Sequence, residues 1–150
     1  RDEEAEECFA ESKKLDADNF GKGKSLLDSE RYLESIECFD KHLFDNPENP
    51  YAWHNKGVAL HNLERYEEAI ECYDHVIKLI PENSYAWTYK ANSLDLLGKY
   101  ELALECHNSS IELNPKWSDA WHNKGTTLQK LGRDEEADKC FAESEKLDES

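Results

Sequence analysis

The stretch AWHNKG at residues 52–57 returns letter for letter at 120–125. The two copies stand 68 residues apart, and AWTYKA at 86–91 lies midway, 34 residues from each. Trp53, Trp87 and Trp121 thus share one period with Leu60, Leu94 and Leu128, with Ala69, Ala103 and Ala137, and with Pro47, Pro81 and Pro115. A fixed period of roughly 20–50 residues marks a chain built from stacked copies of one supersecondary unit.

Residues 50–83 show what the unit is. Asn49 is a good N-cap and Pro50 suits the first position of a helix. Trp53, Gly57, Leu60 and Leu63 follow at helical spacing. The apolar phase changes around Glu64 and Arg65, and Tyr66, Ala69, Ile70, Tyr73 and Ile77 form a second helical run that Pro81 ends. Gly57 and Ala69 are small where large residues are expected, which predicts close approach of two antiparallel helices. Leucine at either position would overpack the contact and cost ~1–3 kcal/mol. Neither helix hides its apolar face alone, so units must stack.

These residues resemble the tetratricopeptide repeat family, whose pattern is W-x2-L-G-x2-Y, then A-x3-F, then P. In 50–83 Trp53, Gly57, Leu60, Ala69, Tyr73 and Pro81 fill it, with Lys56 in the Leu slot and Leu60 in the Tyr slot. Residues 84–117 match through Trp87, Ala91, Leu94, Ala103 and Pro115, with His107 in place of the aromatic. Residues 118–150 match through Trp121, Gly125, Leu128, Ala137 and Phe141. Residues 16–49 form a degenerate unit: Gly23, Leu26, Phe39 and Pro47 conform, whereas Asn19 replaces Trp and Ser35 replaces Ala. The resemblance implies an all-α fold, a right-handed α-solenoid of stacked antiparallel helix pairs.

The ends differ from the middle. Residues 133–148 hold Asp134, Asp138 and Glu145 where the inner units have Tyr66, Ile70 and Ile77, or Tyr100, Leu104 and Ile111, so 118–150 should end in a capping helix. RDEEAEECFAESKKLD at 1–16 matches 133–148 at 13 of 16 positions and puts Asp2, Glu6 and Lys13 in the same slots. Residues 1–15 therefore read as an orphan capping-like helix from a preceding array, with an apolar stripe of Ala5, Cys8, Phe9 and Leu15. Ala17 stands where later units have Pro, so this helix can run straight into the next. The stripe would dock on a second copy, as a homodimer or domain swap, or fold back on its own array. Starting at Arg1 and lacking methionine, the chain reads as a fragment or processed product.

Composition bounds function. The chain has 150 residues, 38% apolar and 35% charged, with net charge −16. That balance argues against nucleic acid and anionic membranes, which require a positive surface. No apolar run approaches the ~20 residues of a membrane span. Cys38, Cys72, Cys106 and Cys140 keep the 34-residue period, and Cys8 is the fifth. One slot per unit predicts buried, unbridged thiols, because neighbours some 10 Å apart exceed the ~7 Å reach of a disulfide. Free thiols in odd number suit a reducing compartment, hence the cytoplasm.

No constellation supports catalysis, a metal or a cofactor. His54 and His61 lie seven residues apart, roughly 10 Å along a helix, too far to share one ion. GKGKS at 21–25 lacks the spacing and the preceding strand of a phosphate loop.

Binding is the better reading. The resemblance implies that first helices line a concave groove for a peptide or a partner helix. By position the groove holds Tyr51, His54, Asn55, Val58 and His61, then Tyr85, Thr88, Tyr89, Asn92 and Asp95, then His122, Asn123 and Thr126. Each set falls on one helix face, offset from the Trp/Gly/Leu face. Asn bonds peptide donors and acceptors alike, and Tyr gives large area with a polar tip. Members that grip acidic chaperone tails use a Lys and an Asn from one repeat, an Asn from the next and Lys or Arg from the third. Here only Asn55 conforms, so a neutral or basic peptide is preferred. The alternative is a structural spacer or self-associating segment with an empty groove. Lys22, Lys56, Lys90 and Lys124 occupy one slot in all four units, either lying along the Trp or pairing with Glu of neighbouring second helices.

Overall fold

The computed structural model describes residues 2–150; the side chains of residues 2, 9, 12, 13 and 15–17 lie outside the description, and with them the predicted roles of Asp2, Phe9, Lys13 and Leu15. The described chain is helical throughout: α1 (Asp2–Asp28), α2 (Tyr32–Asp45), α3 (Pro50–Asn62), α4 (Tyr66–Leu79), α5 (Ser84–Leu96), α6 (Tyr100–Leu113), α7 (Ser118–Lys130) and α8 (Asp134–Asp148). Each helix packs on the next, and α1 also touches α3 as α5 touches α7. The result is an all-α solenoid of helix pairs.

Local chemistry sets the helix ends. The Asn49 side chain accepts from the Tyr51 amide at 3.1 Å, with Pro50 opening α3, and Asn83 accepts from the Ala86 amide at 3.3 Å before α5. The turn inside each pair is a Schellman motif: the Arg65 amide donates to the Leu60 carbonyl and the Glu64 amide to His61, both at 2.9 Å. This turn needs one residue at positive φ. Gly98 (φ 76°) and Gly132 (φ 74°) supply it freely; Glu30 (φ 61°) and Glu64 (φ 60°) hold the same slot. Between pairs, each of the three periodic tryptophans donates its indole N–H to a proline carbonyl: Trp53 to Pro47 at 2.8 Å, Trp87 to Pro81 at 3.3 Å and Trp121 to Pro115 at 2.9 Å. The co-periodicity of Trp and Pro is thus one hydrogen bond repeated.

The small slots are where the two helices of a pair meet. A Cβ at Gly57 would lie 2.7 Å from the Tyr73 ring, at Gly125 2.6 Å from Phe141 and at Gly23 2.8 Å from Phe39. The third unit has Ala91 at this slot and the smaller five-membered ring of His107 opposite it, both fully buried. Larger slot residue and smaller ring vary together.

Stacking uses one second-helix position. Ile36 belongs to the core cluster of α3 and α4, Ile70 packs on that of α5 and α6, and Leu104 joins that of α7 and α8. The next residue in the series, Asp138, is exposed, so the last pair presents charge where the others present an aliphatic side chain. Cys38, Cys72, Cys106 and Cys140 are buried and free, whereas Cys8 is exposed. Burial pushes the thiol of Cys72 up to about 12 and that of Cys106 to about 11, which keeps both protonated and unreactive.

α1 runs unbroken through position 17, where the inner units have proline. Residues 3–8, 10, 11 and 14 are exposed.

Candidate functional site

The first helices α3 and α5 lie either side of α4 and place their tyrosines at one cleft. It has a volume of about 260 Å³ and is lined by Tyr51, His54, Tyr85 and Tyr89 together with Pro50, Asn83, Val76 and Ile80. Tyr51 and Tyr85 remain 69% and 53% exposed, and Tyr89 38%, so three phenol rings are open to a ligand. His54 meets Tyr89 edge-on at 4.8 Å, and Tyr73 stacks behind Tyr89 at 5.8 Å. Among the described residues no Asp, Glu, Lys or Arg lines the cleft.

Val76 and Ile80 were not legible as site residues. Val76 comes from α4, a second helix, and Ile80 from the residue that ends it, whereas the family pattern directs attention to first helices. Their i, i+4 spacing just before Pro81 was the available signal.

The remaining predicted positions divide. Asn55, Val58 and Asn92 are half-buried on α3 and α5, as are Asn123 and Thr126 on α7, and His122 is exposed. The Thr126 hydroxyl donates to its own helix at the His122 carbonyl, 3.2 Å away. Three positions serve the array instead. Thr88 is 3% exposed and its hydroxyl donates to Ser110 Oγ at 2.7 Å. Asp95 accepts from the Thr127 hydroxyl at 2.8 and 2.9 Å and lies 3.3 Å from His107 Nε2. His61 Nδ1 bonds Ser93 Oγ at 2.9 Å. Both His61 and Asp95 thus reach the first helix of the following pair, since side chains at the end of one first helix overlap the next.

Burial pushes the imidazoles of His54 and His61 below the usual histidine range. The fold therefore favours their neutral form. The stability this contributes is complete above about pH 6.5, the unfolded value, and is lost as pH falls through the depressed folded value. Urea unfolding at about pH 7.5 and about pH 5.5 is expected to show a loss on acidification that is smaller in His54→Gln. An unchanged pH difference in that variant would remove His54 from the account.

The periodic lysines do both things expected of them, with one correction. Lys56, Lys90 and Lys124 lie 5.5, 5.8 and 5.6 Å from the centroids of Trp53, Trp87 and Trp121. Lys56 and Lys90 also pair with the preceding second helix at 2.6 Å, but their partners are Asp40 and Asp74, not Glu. The shorter carboxylate suffices because the lysine stem already spans the Trp ring.

Repeated helix pairs with first helices presented side by side define a helical repeat protein. Family profiles described as tetratricopeptide repeat match residues 50–83, 84–116 and 118–150. The chain belongs to the tetratricopeptide repeat family, a protein-interaction fold. Among solved structures it is similar to a crystal structure of MamA, with TM-score 0.84 and 21% identity over 87% of this chain and 77% of that one. It is also similar to MamA residues 41-end from Desulfovibrio magneticus RS-1, with TM-score 0.85 and 19% identity over 89% and 76%. A third is the first repeat domain of Spaghetti (RPAP3) bound to the HSP90 peptide SRMEEVD, with TM-score 0.75 and 22% identity over 79% and 94%. No curated protein sequence matches. Among the described residues no helix is long and apolar enough to cross a membrane.

Proposed function

We propose that this protein is a non-catalytic scaffold that binds a peptide or partner helix on its concave face, with the cleft between α3 and α5 as the anchoring subsite. The observation that carries the reading is the cleft itself: three exposed tyrosines and His54 around an aliphatic floor of Val76 and Ile80. Such a surface buries an apolar side chain while Asn55, Asn92 and Asn123 remain for the ligand backbone. RPAP3 holds an acidic peptide; the cleft here offers no cation, and net charge −16 favours a neutral or basic ligand. Free thiols accord with the cytoplasm.

A library of neutral and basic peptides tests this. Saturable binding is expected, falling about tenfold or more in Tyr89→Ala and in His54→Glu. Binding that both variants retain would place the ligand elsewhere.

A second reading rests on residues 1–16, which match 133–148 at 13 of 16 positions and whose residues 3–8, 10, 11 and 14 are exposed. It makes the protein a self-associating segment. Light scattering would show a dimer that deletion of 1–15 converts to monomer; monomer alone at high concentration would refute it.

A further inference from the structure

The exact repeat lets one unit serve as control for another. The groove between α4, α5 and α6 is lined by Ile70, Trp87, Lys90, Leu94 and Cys106, and has a volume of about 420 Å³. One period later, Leu104, Trp121, Lys124, Leu128 and Cys140 line the corresponding groove between α6, α7 and α8, of about 540 Å³. Trp121, Lys124 and Leu128 fall at i, i+3 and i+7, on the face of α7 turned away from His122, Asn123 and Thr126.

Four substitutions separate the grooves electrostatically: Asn108 for Asp74 and Lys139 for Glu105 remove negative charge, whereas Glu136 for Leu102 and Glu143 for Ser109 add it. In the first, Asp74 neutralises Lys90 at 2.6 Å. In the second that position is Asn108, which lines the groove, and among the described residues Lys124 has no ion pair. Glu105 of the first groove is replaced by Lys139. The other charges facing the second groove are Arg133, Glu136 and Glu143. Arg133 and Glu136 are held together by two bonds of 2.5 and 2.8 Å. This leaves a local cationic excess on a molecule of net charge −16.

We propose that the groove between α6, α7 and α8 binds a carboxylate side chain of an acidic partner peptide at Lys124 and Lys139, in the place that Asp40 and Asp74 occupy in the preceding units. An aliphatic residue beside that acid would lie on Leu104 and the Trp121 ring. The carboxylate completes a lysine already held over an indole, so only its own freedom is lost on binding. Physiological salt, with a Debye length of about 8 Å, screens the distant negative charge while leaving the contact.

The test uses the intact chain and a blocked Leu-Glu-Glu-Asp-Leu peptide, followed by NMR at the tryptophan indoles. Saturable shifts are expected at Trp121 and not at Trp87, and none with Gln and Asn replacing the peptide's acids. Asn108→Asp, which the first groove shows the fold accommodates, is expected to weaken binding about tenfold, roughly 1.4 kcal/mol. Asp74→Asn combined with Glu105→Lys is expected to create a second site reported by Trp87. A Trp121 indole unmoved at millimolar peptide, or unchanged affinity in Asn108→Asp, would overturn the proposal. Neither result bears on the cleft between α3 and α5.

Discussion

Tyr73→Ala is expected to destabilise the protein by about 4 kcal/mol, within the range for removing a large buried ring. Tyr73 has no exposed surface and is the largest fully buried side chain. Its ring fills the space over Gly57 and touches His54 and Tyr89. Alanine leaves a void that neither backbone can close, because the two helices already approach as near as glycine allows. The phenol is a different matter. Its hydroxyl is buried without a hydrogen-bond partner, and burial pushes its ionisation far above the usual tyrosine range. Tyr73→Phe should therefore gain about 1 kcal/mol, as the units carrying Phe39 and Phe141 already exemplify. Urea unfolding of both variants gives the contrast; a Phe variant as damaged as the Ala one would refute the packing argument.

Gly57→Leu is expected to cost about 3 kcal/mol, the upper part of the overpacking range. A Cβ alone would stand 2.7 Å from the Tyr73 ring and 3.2 Å from Cys72 Cβ, so the branched side chain has nowhere to go. Gly57→Ala should cost less, since alanine regains about 1 kcal/mol of helix propensity. The third unit supplies the compensation: Ala91 faces His107. Gly57→Ala combined with Tyr73→His is expected to be less destabilised than the sum of its parts, a coupling that thermal or urea unfolding measures.

The fold was legible because the period is rigid. Trp53, Trp87 and Trp121 mark first helices, Pro47, Pro81 and Pro115 end second ones, and small residues mark the contacts. Which polar residues face a ligand was less legible. Thr88, Asp95 and His61 have groove spacing, yet Thr88 is taken up by Ser110 of its own pair, and Asp95 and His61 by Thr127 and Ser93 of the next. Helical phase gives direction along one helix, but which polar side chains meet across the stack depends on the offset between units. For the same reason Val76 of α4 and Ile80 at its end enter the cleft unannounced. The lysine slot was visible as a pattern, and its carboxylate partners were not, because Asp40 and Asp74 lie one unit upstream.

The concave cleft is the centre of the functional account, and chemical-shift mapping with the tightest neutral or basic peptide from the library tests it most directly. Perturbations are expected to concentrate on Tyr51, His54, Tyr85 and Tyr89, with Asn55 and Asn92 moving at the flanks. A saturating peptide that leaves those four side chains unmoved, or a library in which nothing saturates, would contradict it.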